Sequence, residues 1–548
     1  MLDILKEMNL GELIDQVSTI YPDKEALVFR NLRITYKGLQ EKVNQTAKGL
    51  LKIGVSKGDK VSVLMSNRPE WIYIKFAVAK IGAILVPINL RYKTFELKYI
   101  LKNSDSTTLI MLDTFQNYDF IQMIQAVCPE INTSEKGKLQ SPELPYLKNV
   151  IVLSNKEYNG AYSFSEIIQA GMASSLDEKL RQIQQTVNPD DVVNIQYTSG
   201  TTGFPKGTML PHHMVPHMFL LGERAGCTVA DRMIIFLPLF HIYGNCTSLL
   251  VAMTHGACVV LQESFNVEET LQLMVKEKCT YINCVPTNII MILNHPAFPE
   301  YRDKLTLKKG LIGGAPTPVQ LIYDMVEKMG IFSIGAVYGQ TECCGTTSYS
   351  VKGDPYEVVA NTVGKPTTDY EVKIVDVRTG NTLAPGKEGE LMVRGKAVMK
   401  GYYNMPEETE KTLDKDGWCH TGDLFIADEE GNLKITGRVK DIYISGGENI
   451  APAEVENFLF TYPKIKQVQL VGVPDERWGE VGAAFIELKE GEKATEEEII
   501  SFCKGKIAAF KIPKYVRFVE EFPLTASGKI QKFVLRDSFL KGMNEGSN

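Results

Sequence analysis

The pattern of apolar and polar positions changes character along the chain. Up to about residue 190, short apolar runs alternate with helix-length amphipathic segments: 60–64 (KVSVL), 83–87 (AILVP) and 108–112 read as strands, and 71–81 as a helix. Strands separated by helix-length segments predict α/β layers with largely parallel pairing. The rhythm continues to about residue 340, with apolar runs at 233–237, 258–261 and 281–285. Between 371 and 394 it gives way to short strands around turn residues (YEVKIVDVRTGNTLAPGKEGELMVRG), which predicts a small antiparallel section. The C-terminal part restarts a separate α/β pattern. Pro452 stands at a helix start ahead of Val455, Phe458 and Leu459, and Thr495-x-x-Glu498 is a capping box opening a helix through Ile499, Ile500 and Cys503. Strands are expected there at 467–473, 483–488 and 515–519. A chain of 548 residues exceeds one ordinary core. With no low-complexity linker in it, the boundary near 438–441 must be a short hinge.

Composition and charge exclude more than they assign. With 60 basic against 66 acidic residues and a net charge of −6, there is no electrostatic case for nucleic acid. No apolar run reaches the ~20 residues that span a bilayer; the best, 76–90, is interrupted by Lys80 and Pro87. The start, MLDILKEMNLGELIDQ, carries Asp3 and Glu7 and does not read as a signal peptide. Its stripe of Leu2, Leu5, Met8 and Leu13 is expected to pack onto the protein, with peripheral membrane contact as the alternative. Ten cysteines without a CxxC pair, two of them the adjacent Cys343 and Cys344, fit free thiols in a reducing cytoplasm. Seven histidines form neither HExxH nor zinc-site spacing, so no protein-held transition metal is expected. Oligomeric state stays open.

The segment richest in chemistry is 197–207, YTSGTTGFPKG, which follows a strand-like 192–196. The hydroxyls of Thr198, Ser199, Thr201 and Thr202 supply donors, Gly200 and Gly203 let the backbone approach an anion, and Lys206 adds positive charge. A flexible surface loop is the plainer alternative, which Pro205 and Lys206 at fixed positions after the glycines disfavour. Neither a GxxxxGK[ST] loop nor GxGxxG is present, so a polyphosphate enzyme of another architecture is required.

Further motifs follow in order: Phe236-Leu-Pro-Leu-Phe-His241, Gly313-Gly-Ala-Pro316, Tyr338-Gly-Gln-Thr-Glu342, Trp418-x-x-Thr421-Gly-Asp423, Gly437-Arg-Val-Lys-Asp441, Gly446-Gly-Glu-Asn-Ile450 and Pro523-Leu-Thr-Ala-Ser-Gly-Lys529. In these the chain resembles the adenylate-forming superfamily of acyl-CoA synthetases, peptide-synthetase adenylation domains and beetle luciferases. The resemblance covers nearly the whole chain, and is strongest to medium-chain acyl-CoA synthetases, especially across 502–533. It implies an α/β fold: a large N-terminal domain over 1–437 (two layered α/β subdomains plus a small β section), a hinge at 438–441, and a small mobile α+β domain over 442–548. It implies ATP, Mg²⁺, coenzyme A and a small carboxylic acid as ligands, and an acid–thiol ligase working through an acyl-adenylate. Loading of a carrier protein instead of coenzyme A is the rival reading.

The implied roles are specific. Lys529 would bridge the carboxylate and the α-phosphate, and Thr341 would donate to that phosphate. Lys206 and the 198–203 loop would hold the β- and γ-phosphates, and Glu342 would anchor Mg²⁺. Gly314, Ala315 and Pro316 would pass the adenine, with Tyr338 as a face for it and Gly339 and Gln340 beside it. Asp423 would accept from the ribose hydroxyls, supported by Arg438. Rotation about Lys440 would exchange Lys529 for the face carrying Gly446, Gly447 and Glu448, and His241 would border the pantetheine channel. Taken singly, Asp423 reads as a turn residue, Lys529 as solvated surface and Arg438 as an exposed ion pair; together they fill the places the chemistry requires. Acetyl-CoA synthetases carry Trp at the position of Gly339, so glycine there implies an open acyl pocket and an acid longer than acetate. His241 stands where amino-acid-activating domains place Asp, which argues against amino acids. Ile242, Tyr243, Val337 and 343–345 should line the pocket, whose small side chains suit an alkyl chain or an aromatic or alicyclic acid.

Overall fold

The computed structural model describes residues 5, 7–198, 205–315, 317–350, 352–445, 448–524 and 530–545, with 448–449 and 543–545 as backbone only. They fall into two compact units, Met1–Val372 with Val393–Cys419, and Lys373–Met392 with His420–Asn548. Residues 373–392 and 420–437, expected with the large domain, group with the C-terminal part. The reason is pairing: Glu371–Val375, Gly389–Arg394, Cys419–Ala427 and Leu433–Arg438 form one four-stranded sheet.

The first unit holds two large sheets. The nine-stranded one is parallel through its middle, where Ser333–Tyr338, Lys309–Gly313, Tyr281–Cys284, Arg232–Ile235, Cys258–Leu261 and Glu25–Phe29 lie side by side. The seven-stranded one runs Lys206–Pro211, Val192–Thr198, Ile84–Pro87, Lys60–Leu64, Ser106–Leu112, Asn149–Leu153 and Tyr162–Ser163. Its strands pair in parallel except for the hairpin of the first two. Strands buried on both faces need continuous apolar runs, as in 258–261, where every residue is buried. The run at 233–237 ends as a strand at Ile235, short of Pro238, which has no N–H for a ladder.

Helix Pro69–Lys80 is buried on almost every side and packs against Leu10–Ile20 and Tyr36–Lys52. Its two buried lysines are satisfied: Lys80 Nζ donates to both Asp15 oxygens at 2.6 and 2.7 Å, and Lys75 Nζ to Asn245 Oδ1 at 3.1 Å. The N-terminal stripe packs inward as expected, with Leu5, Met8 and Leu13 buried and Leu10 N donating to His212 Nδ1 at 2.9 Å; Leu2 lies outside the described residues. Among the described residues no helix is long and apolar enough to cross a membrane.

The second unit also contains a five-stranded sheet. Along Ile465–Asp475 and Gly479–Leu488 alternate side chains enter two separate cores, Val468, Leu470, Ala484 and Ile486 on one face and Val471, Val473, Ala483 and Phe485 on the other. Helices Pro452–Leu459 and Glu496–Cys503 cover the first core and Lys532–Glu545 the second. The Thr495 capping box forms as read, with Glu498 N donating to Thr495 Oγ1 at 3.2 Å and Thr495 N to Glu498 Oε2 at 3.1 Å.

Candidate active site

Ligand sites in open α/β sheets gather at the carboxyl ends of the parallel strands, and several of the expected residues stand there. Strands Lys309–Gly313 and Ser333–Tyr338 are neighbours, with Gly313 opposite Val337. A Cβ on Gly313 would lie 2.3 Å from the Val337 carbonyl, so only glycine allows this approach. Gly314 and Ala315 follow it at the surface, beside a buried Tyr338 and the half-buried Gly339 and Gln340.

The turn after Tyr338 closes on itself. Gly345 N donates to Gln340 O at 2.9 Å and Thr347 N to Tyr338 O at 2.8 Å, around the 3₁₀ turn Thr341–Cys343. Cys344 takes a left-handed conformation, φ 56°. A Cβ on Gly339 would fall 2.3 Å from the Gly345 carbonyl and 2.6 Å from Thr346 Cα. Glycine is therefore required at 339 by backbone packing, a reason different from the open pocket the sequence suggested. Gly345 itself faces Ile242 and Thr247, and Cys343 and Cys344 are buried.

Glu342 leaves this turn half-buried and is held from outside it. Tyr402 Oη donates to Glu342 Oε1 at 2.7 Å, and Met399 N donates to Glu342 O at 2.8 Å. Burial and the Glu342 charge push the Tyr402 phenol well above its ordinary pKa, so it stays a donor. The segment 399–412, a strap within the first unit, also holds the arms of the 198–206 hairpin. Thr198 and Lys206 face each other across the hairpin. Tyr403 N donates to Gly207 O at 2.8 Å, Lys400 N to Met209 O at 2.8 Å and Met209 N to Gly401 O at 3.0 Å. Lys206 Nζ pairs with Glu408 and lies 5.2 Å from the centre of the Tyr402 ring. Hydrogen bonds from Lys206 and Lys411 pull the Glu408 carboxyl down to about 2. Tyr99 Oη anchors the far side of the loop through Pro205 O at 3.1 Å.

His241 is half-buried at the start of a π-helical turn, Tyr243–Ser248, and its Nδ1 accepts from Tyr243 N at 3.3 Å. A polar chain ties this turn to the strand Val192–Thr198. Gln196 Nε2 donates to Phe240 O at 2.6 Å, and Asn245 Nδ2 donates to Gln196 Oε1 at 3.1 Å. Asn245 Oδ1 in turn accepts from Lys75 and, at 3.0 Å, from Cys246 Sγ. Burial lowers the Lys75 pKa. Tyr243 Oη is spent on the carbonyls of Cys284 (3.2 Å) and Leu311 (3.0 Å), so its proton is held within the protein. Below the 338–346 turn, His217 Nε2 reaches Thr346 O at 2.8 Å and Nδ1 reaches Asp369 Oδ2 at 2.7 Å. Burial works against its charged form, but the Asp369 carboxylate and the Thr346 carbonyl outweigh it and raise its pKa.

In the second unit, Asp423 and Arg438 are cross-strand partners, with Arg438 Nε 3.0 Å from Asp423 Oδ1. Asp423 N donates to Thr421 Oγ1 at 3.1 Å, and Thr421 Oγ1 donates to Leu391 O at 2.7 Å, so a buried carboxylate is fixed from its backbone side. Lys440 sits exposed in the short turn Val439–Asp441. Ser199, Gly200, Thr201, Thr202, Gly203, Pro316, Gly446, Gly447 and Lys529 lie outside the described residues, and Glu448 is described only as backbone in the strand Glu448–Ile450.

Among the described residues no group of three or more His, Cys, Asp and Glu side chains is arranged to hold a metal ion. A lone carboxylate such as Glu342 fits Mg²⁺, which takes few protein ligands and several phosphate oxygens or waters. Sequence reasoning missed Tyr402, Glu408, Gln196 and His217. One signal was available for Glu408: Pro406 before two glutamates marks a helix start, here Pro406–Thr412.

Comparison with known proteins bears on this geometry. The model of the AMP-binding enzyme family matches residues 14–403, and that of the AMP-binding enzyme C-terminal domain matches 454–529. The protein YngI of Bacillus subtilis is 41% identical over 544 residues, covering 98% of each chain. The medium-chain acyl-CoA ligase ACSF2 of Mus musculus, a mitochondrial protein, is 40% identical over 541 residues, 97% of this chain and 88% of that one. The crystal structure of the anthranilate CoA ligase AuaEII with anthranoyl-AMP superposes with a TM-score of 0.84 at 27% identity, over 99% of this chain and 100% of that one.

Proposed function

Since the chain belongs to the AMP-binding enzyme family and is an AMP-forming acid–thiol ligase of the acyl-CoA synthetase kind, we propose that its acid is a medium-chain fatty acid. The observation that carries this is the 40% identity, over 97% of the chain, to a medium-chain acyl-CoA ligase. The chemistry takes two steps. A carboxylate oxygen attacks the α-phosphorus of ATP, giving acyl-adenylate and pyrophosphate; the thiol of coenzyme A then attacks the acyl carbon and AMP leaves. Negative charge gathers on phosphate oxygens in the first step, so oriented donors and cations do most of the work.

In this reading Lys206 and the 198–203 loop hold the β- and γ-phosphates, Thr341 and Lys529 the α-phosphate, and Gly314, Ala315, Pro316, Tyr338, Gly339 and Gln340 the base side. Asp423 takes the ribose hydroxyls with Arg438 beside it. Glu342 would hold Mg²⁺ together with phosphate oxygens, and the ion would neutralise charge on them. The second step belongs to a rotation about Lys440 that brings up Gly446, Gly447 and Glu448, with His241 beside the pantetheine arm. Support for the loop assignment is the strap that fastens its arms and Glu342 to one segment, 399–412. Ten free, buried cysteines support a cytoplasmic location.

An aromatic acid is the second reading, favoured by the likeness to an anthranilate CoA ligase. Pyrophosphate release measured over straight-chain acids from acetate to palmitate, plus benzoate and anthranilate, with and without coenzyme A, decides between them. The expected result is a maximum of kcat/KM among medium-chain acids and a thioester product that requires coenzyme A. A maximum at an aromatic acid overturns the first reading, and release without thioester points to a carrier-protein acceptor.

A further inference from the structure

Lys206 is the phosphate loop's only cation, and in this protein it already has a counter-ion. Its ammonium pairs with Glu408, which lies 202 residues further on, and rests on the face of Tyr402. The pair is neither deeply buried nor freely solvated: the side chains keep 13% and 24% of their surface exposed. Glu408 comes from helix Pro406–Thr412, whose position is set by the strap. Tyr402 N donates to Thr409 Oγ1 at 2.8 Å, and a Cβ on Gly401 would strike Thr409 Cγ2 at 2.7 Å. The backbone of Tyr402 bridges to Thr208 on the loop's second arm. The carboxylate is thus delivered to the lysine by a built contact, not by a chance surface encounter.

Glu408 has a second cation. Lys411, one helical turn on, donates to its other oxygen, Oε1, at 2.6 Å. When Lys206 turns away, this carboxylate keeps a partner and no charge is stranded. The lysine's other support, the aromatic face of Tyr402, stays in place because the Tyr402 hydroxyl is fixed on Glu342.

We propose that Glu408 is a positioning residue that holds the Lys206 ammonium at the mouth of the phosphate loop, and that the β- and γ-phosphates of ATP displace it by counter-ion exchange, Lys411 retaining the carboxylate. This rests on the reading of 198–206 as the polyphosphate loop and goes beyond it. The site pre-sets the lysine at the cost of a competitor, so ATP, which carries the distal phosphates, pays for the exchange and AMP does not.

The test compares ATP and AMP binding by calorimetry, without acid or coenzyme A, in the wild type, Glu408→Gln and Lys206→Ala, with thermal melts checking the fold. Glu408→Gln is expected to tighten ATP about threefold, the scale of an exposed pair, and to leave AMP unchanged. Lys206→Ala is expected to weaken ATP about tenfold and to leave AMP unchanged. If Lys206→Ala weakens ATP while Glu408→Gln leaves it unchanged, weakens it, or shifts AMP equally, the exchange is overturned and the loop reading stands. If Lys206→Ala leaves ATP binding unchanged, the loop reading falls and the exchange falls with it.

Discussion

The 338–346 turn is held from two sides by two different kinds of charge. Around Glu342 the contacts are partly exposed and redundant: Tyr402 on the carboxylate, and next to it Lys206 shared between Glu408 and an aromatic face. Beneath Thr346 it is the histidine alone that is enclosed, a His217 ring with no exposed surface between a carbonyl and the partly exposed Asp369, stacked 4.4 Å from Tyr370. Charges that must change partners during a reaction are affordable only where water or a second ion can take up the slack. A fully buried ring whose two nitrogens each have one fixed partner has no alternative, and serves to fix one backbone position. The first set is able to exchange partners and the second holds the turn still.

Removing one charge from each side tests the difference. His217→Ala should cost about 3 kcal/mol in urea unfolding, the lower end for a broken buried pair, because the Asp369 side chain keeps 27% of its surface exposed. Lys206→Ala should change the same unfolding energy by less than about 1 kcal/mol. Equal costs would erase the contrast. Gly339→Trp probes the turn itself. Its Cβ must displace the backbone of 345–346, so a loss of about 2 kcal/mol is expected, with lower kcat/KM for every acid and no gain on acetate. A gain on acetate would show that the turn yields and that Gly339 acts through pocket size alone.

The smallest effect is a pH dependence that sharpens the contrast. The His217 pKa is raised in the folded protein, so its stabilisation is complete below the unfolded value of about 6.5 and is lost as pH rises through the folded value. His212, which accepts from Leu10 N, is driven by burial down to about 3. Its contribution is present above about pH 6.5 and is lost as pH falls below that. In urea titrations between about pH 5 and 8, His217→Asn should therefore lose its disadvantage towards the alkaline end. His212→Gln should gain relative to wild type towards the acid end. Parallel curves for wild type and both variants would remove the assignment of these rings.

What could be read from the residues divides along the same line. Strand and helix positions such as 60–64, 258–261 and the Thr495 capping box were legible because period and cap chemistry are local. The family was legible in motifs that keep their order along the chain, and the AMP-binding enzyme model matches 14–403. The partners of single residues were not: Tyr402 is 60 positions from Glu342, and Asp369 is 152 from His217. Periodicity says which face is buried, not what it meets. Gly339 shows the subtler failure, since a missing side chain reads equally as room for a ligand or as room for the chain's own backbone. The division of 373–437 between the units was hidden for a related reason, because a sheet assembled from separated strands obeys pairing rather than order along the chain.

The π turn Tyr243–Ser248 gives this stretch of helix a property that side-chain chemistry does not. A π turn accommodates one residue more than the α-helix it interrupts. Removing a single residue there restores α spacing and swings everything on its N-terminal side by about 100° about the helix axis. Ile242 and Tyr243 would turn away from their present neighbours together, and the Tyr243 hydroxyl would lose both carbonyls. Where Ile242 and Tyr243 line the acyl pocket, as the sequence leads one to expect, its shape would be set here by chain length, in steps of one residue.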